Sequence, residues 1–141
     1  MTGWLWRLAD SVRHRLLPGA VTPTAAAGRR GEDLAHRFLE RAGCVVVARN
    51  WRGAGGEIDI VAWDREQVVF VEVKSRATEE FGAPERNIDA RKRRALVRAA
   101  REYLRRAGID AGRARFDVVS VLFGEPPRIE HFKDAFNASR T

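Results

Sequence analysis

The stretch GGEIDIVAWDREQVVFVEVKSR, residues 55–76, decides the fold. Two runs rich in β-branched and aromatic residues flank the polar turn DREQ, the pattern of a β-hairpin. A hairpin buried for its own stability has no use for acids at Glu57, Asp59 and Glu72 or for a lysine at Lys74. Side chains alternate along a strand, which predicts Glu57, Asp59 and Val61 on one face and Ile58, Ile60 and Ala62 on the other. In the second run Val68, Phe70, Glu72 and Lys74 share a face, with Val69, Val71 and Val73 opposite. If Trp63 and Val68 flank the turn as an antiparallel pair, Asp59 faces Glu72 and Glu57 faces Lys74; a three-residue loop with a bulge would break that register. Opposed carboxylates cost stability and force one acid toward protonation unless a cation intervenes. Because Val61, Trp63, Val68 and Phe70 lie on the same face as the acids, this surface is covered near the turn and polar only at its far end. That describes a cleft better than the solvated outer face of a sheet.

Hard oxygen ligands at this spacing suit Mg2+ or Mn2+, with phosphate and water completing an octahedral shell, and such an ion activates water and stabilises a leaving oxygen. The chemistry this predicts is phosphodiester hydrolysis. Lysine usage sharpens the expectation: of 26 basic residues all but Lys74, Lys92 and Lys133 are arginine. A position needing only charge would read Arg in this chain, whereas a compact ammonium suits an attacking water or a crowded phosphate.

Working outward, residues 24–42 form a helix with Leu34, Ala35, Phe38 and Leu39 on one face, stopped by Gly43. CVVVARNW is a first strand, and Trp51 and Arg52, read as a loop before Gly53, either stack on unpaired bases or leave the indole partly buried. A long helix covers residues 88–107, with Ile88, Leu96, Ala99, Ala100, Tyr103 and Leu104 on its buried side, and FDVVSVLF and RIEHF supply two more strands. The order is α, β, β, β, α, β, β. Residues 91–106 hold seven arginines and one lysine against the single acid Glu102. Arg91, Arg94, Arg98, Arg101 and Arg105 recur at steps of three and four, a stripe that repels itself without a polyanion. With Lys92 these are the candidate contacts to a phosphate backbone, against the alternative of a solvated helix face.

At 141 residues with 45% hydrophobic content the chain suits one compact domain, residues 24–137, with an N-terminal amphipathic helix and linker at 1–23 and a tail at 138–141. The N-terminal helix, residues 4–17, either packs on its own domain or contacts a partner or a membrane surface. Net charge +7 favours a polyanionic partner, nucleic acid before an anionic membrane, unless it reflects a genome biased toward arginine codons. A lone cysteine, Cys44, excludes an intrachain disulfide and fits a reducing, cytoplasmic setting; the three histidines have no paired ligand spacing for zinc. No apolar run approaches the roughly 20 residues of a membrane span, so no integral membrane association is expected.

Asp59 followed by Glu72-Val73-Lys74 resembles the D…(D/E)xK signature of the PD-(D/E)xK nuclease superfamily. GEDLAHRFLERAG, RNWR, GEIDIVAWD, VFVEVKSR, FGAPE, RFDVVSV and RIEHFKDAF, in that order over residues 28–136, are similar to the bacterial YraN family of that superfamily. The resemblance implies an α/β fold: a restriction-endonuclease-like αβββαβ core, related to archaeal Holliday-junction resolvases, with a mixed central sheet flanked by helices and an N-terminal helical extension. It implies Asp59, Glu72 and the Val73 carbonyl as metal ligands, Lys74 as the catalytic lysine and Glu32 as an outer acid of the site, against the alternative that Glu32 is only a first-turn helix acid; Glu57 is a candidate partner of Lys74 beyond the ligands. Ile58 stands where the superfamily name has proline, and Lys92-Arg93 where family members commonly have Lys-Gln. The expectation is a Mg2+-dependent endonuclease on structured or branched DNA, working as a homodimer if its cuts are symmetric. The rival is a non-catalytic nucleic-acid-binding or assembly module that retains the fold.

Overall fold

The computed structural model describes residues 23–77 and 90–138. The helix expected at 4–17, Ile88 and the FGAPE segment lie outside the described residues. Helix α1, Pro23–Arg41, leads into strands β1 (Val45–Gly53), β2 (Gly56–Asp64) and β3 (Gln67–Arg76); helix α2, Ala90–Ala107, then leads into β4 (Ala114–Leu122) and β5 (Arg128–Phe132). This is the expected element order. The five strands form one sheet in sequence order, antiparallel except for the β3–β4 pair, which is parallel from Val68↔Ala114 to Arg76↔Leu122. A parallel pair needs a long crossover, and α2 supplies it. The mixed sheet is thus a consequence of where the basic helix falls in the chain.

Each helix covers one sheet face. Ala35 and Leu39 of α1 pack on Ile60, Ala62, Val69, Val71, Val119 and Val121. On the opposite face, Leu96, Ala99, Ala100, Tyr103 and Leu104 of α2, as read from the sequence, pack with Val97 on Val61, Val68, Phe70 and Phe116. Tyr103 meets Trp51 and Phe70 edge to face, at ring separations of 5.4 and 5.6 Å. Helix α1 ends as expected: Gly43, at φ +95, and Cys44 donate their amides to the Glu40 and Leu39 carbonyls.

The hairpin register is the one expected over its closed half and differs over the open half. Asp64↔Gln67 through Ile60↔Val71 pair around a two-residue turn in which Arg65 takes φ +57. The ladder then stops, so neither Asp59 with Glu72 nor Glu57 with Lys74 forms a cross-strand pair. Beyond Ile60, β2 pairs only with β1, through Trp51↔Ile58 and Arg52↔Glu57. The expected face of Ile58 is also corrected: it packs with Val61 on the α2 side, whereas Ile60 and Ala62 pack on the α1 side. The pleat slips at Asp59, next to Asn50 at φ +50 on β1, and the two strands of the hairpin part there.

A second buried polar centre lies on the α1 side and was not legible in the sequence. Asp117, fully buried, accepts from Nε and Nη2 of Arg115 at 2.9 Å and from the Asp134 amide at 3.0 Å, and sits 2.7 Å from His131 Nε2. Arg115 also reaches Asp64 at 2.8 Å. Burial pushes Asp117 up, but the hydrogen bonds from His131 and Arg115 outweigh it and hold the carboxyl below its usual range. These bonds tie β5 and the chain after it to the sheet.

Candidate metal centre and nucleic-acid interface

Where β2 and β3 part, a cavity of about 840 Å³ opens, lined by Glu32, Glu57, Asp59, Glu72, Val73, Lys74 and Lys92, together with Ala27, Gly28, Ser75, Arg76, Ala77, Ala95, Leu96 and Phe123. Every acid singled out in the hairpin therefore reaches one space, along with the helix acid Glu32. The N-terminal halves of both helices line it. Helix α1 comes very close to β3 at Gly31, where a Cβ would collide with the Ser75 hydroxyl, and this approach carries the next residue, Glu32, into the cavity.

Asp59 and Glu72 meet through the interruption of the sheet rather than across a ladder. Asp59 Oδ2 accepts the Val73 amide at 2.8 Å, replacing the strand partner that Val73 lacks on that side. Burial first, and the Glu72 charge second, push the Asp59 carboxyl well above its usual range, against the pull of the Val73 amide; Glu32 and a hydrogen bond to Glu72 push the same way. Glu72 itself is buried. The repulsion that raises Asp59 beside the recessed Glu72 is one that a divalent cation between them would relieve.

Whether the residues suit such an ion follows from their chemistry. Among the described residues no group of three or more His, Cys, Asp or Glu side chains is arranged to hold a metal. A pair of carboxylates is nevertheless the usual protein share for Mg2+, which keeps several waters and takes phosphate oxygens for the remainder. Asp59 and Glu72 fit that role, with the Val73 carbonyl beside them.

Glu32 is held by Asn50 Nδ2 at 3.0 Å and Arg49 at 3.5 Å, and Arg49 also pairs with Asp33 at 2.6 Å. Arg49 and Asn50 position an acid of the cavity, and the sequence reading gave them no part; a polar pair breaking the run of apolar strand residues was the available signal. Glu57 lines the cavity, but its ion pair is with Arg52 at 3.5 Å. Among the described residues, Lys74 makes no ion pair. Lys92, expected among the backbone contacts, has its Nζ 2.7 Å from Glu72 Oε1.

The other members of the basic stripe, Arg91, Arg94, Arg98, Arg101 and Arg105, are all exposed, and none makes an ion pair among the described residues. The lone acid of the helix has a structural use. Glu102 accepts the Ala54 amide at 2.8 Å and pairs with Arg106 at 3.0 Å, pinning the β1–β2 turn to α2, where Gly56 lies against the Ala95 carbonyl too closely for a side chain. The suggestion that Trp51 stacks on bases is corrected: it lies on β1, not on a loop, and is 4% exposed, with the Arg106 guanidinium 5.8 Å from its ring centre. No described helix is long and apolar enough to cross a membrane.

The mixed sheet, the two covering helices and the acids at its parted strands make this an α/β protein with the αβββαβ core expected from the resemblance. The chain belongs to the uncharacterised protein family UPF0102, also called YraN, whose model matches residues 31–121. It is 49% identical over 138 residues to a UPF0102 protein of Solibacter usitatus, covering 96% of this chain and all of that one. It is 46% identical to one from Desulfosudis oleivorans, over 79% of this chain and 90% of the relative, and 43% identical to one from Pelotomaculum thermopropionicum, over 77% and 93%.

Proposed function

We propose that this protein is a metal-dependent endonuclease that hydrolyses phosphodiester bonds in structured or branched DNA. The observation that carries the reading is the pair of recessed carboxyls, Asp59 and Glu72, which line one cavity with Lys74 and in which the Glu72 charge helps to raise the Asp59 carboxyl. Asp59, Glu72 and the Val73 carbonyl would hold Mg2+ or Mn2+. That ion supplies activation of a water and charge neutralisation at the leaving oxygen. Lys74 orients the attacking water or meets the charge that builds on the phosphate. Glu32, held and oriented by Arg49 and Asn50, adds an outer acid that attracts the ion or orders its waters. Arg91, Arg94, Arg98, Arg101 and Arg105 grip the backbone without reading sequence, and symmetric cutting of a junction requires two copies of the chain.

The test is a panel of branched and linear DNAs incubated with wild type, Asp59→Ala and Lys74→Ala, with and without Mg2+ or Mn2+. Metal-dependent cutting that falls by roughly a hundredfold or more in both variants is the expected outcome. Binding without cuts on any substrate, in wild type as in the variants, would establish the non-catalytic module instead.

A further inference from the structure

Lys92 stands in the first turns of α2, its stem half in solvent, with its ammonium against a carboxylate that is itself only 7% exposed. A buried Glu next to a second acid needs a positive charge close by, and Lys92 supplies it from within the chain. It contacts Glu72 Oε1, one of the two oxygens that Glu72 can offer a divalent ion. Two cations on one carboxylate repel, so each weakens the hold of the other.

Resting on the nuclease reading, we propose that Lys92 is a tethered counter-ion that holds the Glu72 side of the cavity in the metal-free protein and is displaced by the divalent cation when it binds. The exchange has two consequences. Metal affinity is set lower than the two carboxylates alone would give, because the ion must displace an ammonium that cannot diffuse away. The released ammonium remains over a cavity lined by Lys74 and the N-terminal halves of both helices, where a phosphate is the only partner of matching charge that the substrate brings. Metal and DNA phosphate therefore bind cooperatively: the ion frees Lys92 from Glu72, and the phosphate takes it up.

The stem's exposure is what permits the exchange. A lysine with four rotatable bonds and half its surface in water changes rotamer at small cost, whereas the arginines on the same helix would hold a carboxylate with both arms. A second variant, Lys92→Arg, therefore separates charge from release.

The experiment is calorimetric titration of MnCl2 into the full-length wild type, Lys92→Met and Lys92→Arg, alone and with a short phosphorothioate duplex that resists cutting. Without DNA, Lys92→Met is expected to bind Mn2+ on the order of fivefold more tightly than wild type, and Lys92→Arg no more tightly than wild type. With the duplex, wild type tightens toward Mn2+ and Lys92→Met does not. Thermal unfolding in EDTA keeps the test readable should a variant be weakened: Lys92→Met melts below wild type, and Mn2+ raises its melting temperature by more. Equal Mn2+ affinity in wild type and Lys92→Met overturns the exchange while leaving the nuclease reading in place. A wild type that binds no Mn2+ overturns both.

Discussion

Asp59 carries an unfavourable charge in the metal-free fold. Its carboxyl is raised by burial and by Glu72, so the native chain holds this proton more tightly than the unfolded chain does. The stability it contributes is then full below the unfolded value, about 4, and is lost as pH rises through the raised folded value. Asp59→Asn keeps an oxygen for the Val73 amide and removes the charge. In EDTA at pH 7 it is expected to exceed wild type in urea denaturation by about 1 kcal/mol or more, with the advantage gone near pH 4. Identical urea midpoints at both pH values would show that the charge is not strained. The identities of these site residues were legible because acids and a rare lysine interrupt apolar runs. Their partners were not. Lys92 on Glu72 and Asn50 on Glu32 are contacts between distant segments, and alternation along one strand says nothing about which neighbour arrives from a helix.

At the scale of elements, the hairpin shows where pattern reading succeeds and where packing takes over. From Asp64↔Gln67 to Ile60↔Val71 both strands are covered on two faces, and the register follows from the turn. At Asp59 the pleat slips, because Ile58 is drawn to the α2 core while Ile60 stays with α1, and the ladder gives way to a side-chain bond. A sequence window has no term for that competition. The same holds for α1, which must approach β3 closely enough at Gly31 to deliver Glu32. Gly31→Ala is expected to destabilise by about 1 to 2 kcal/mol, the overpacking against Ser75 exceeding the gain in helix propensity. Gly28→Ala, which meets nothing within 4 Å, is expected to gain up to about 1 kcal/mol. Chemical denaturation of the two single variants checks the contrast; equal effects would mean that α1 has room to move away from the sheet.

For the whole molecule, element order and the buried face of α2 followed from periodicity, the fold class from the family resemblance, net charge +7 from composition, and the basic helix from the spacing of its arginines. The Asp117 network did not, since Arg115, Asp117 and His131 lie on two strands and read as unremarkable charges until the sheet is assembled. If the stripe grips DNA, charge removal acts through counterion release. Replacing Arg94, Arg98 and Arg101 together with Gln is expected to lower the slope of log Kd against log salt by about 3 while sparing the melting temperature, as three lost phosphate contacts require. An unchanged slope would assign the backbone contacts to another surface. The account rests on the repulsion between two acids being relieved by an ion, and crystals soaked in MnCl2 test that most directly. An anomalous difference peak between the carboxylates of residues 59 and 72, absent from Asp59→Asn crystals, is predicted; a map with no peak there at saturating Mn2+ would contradict it.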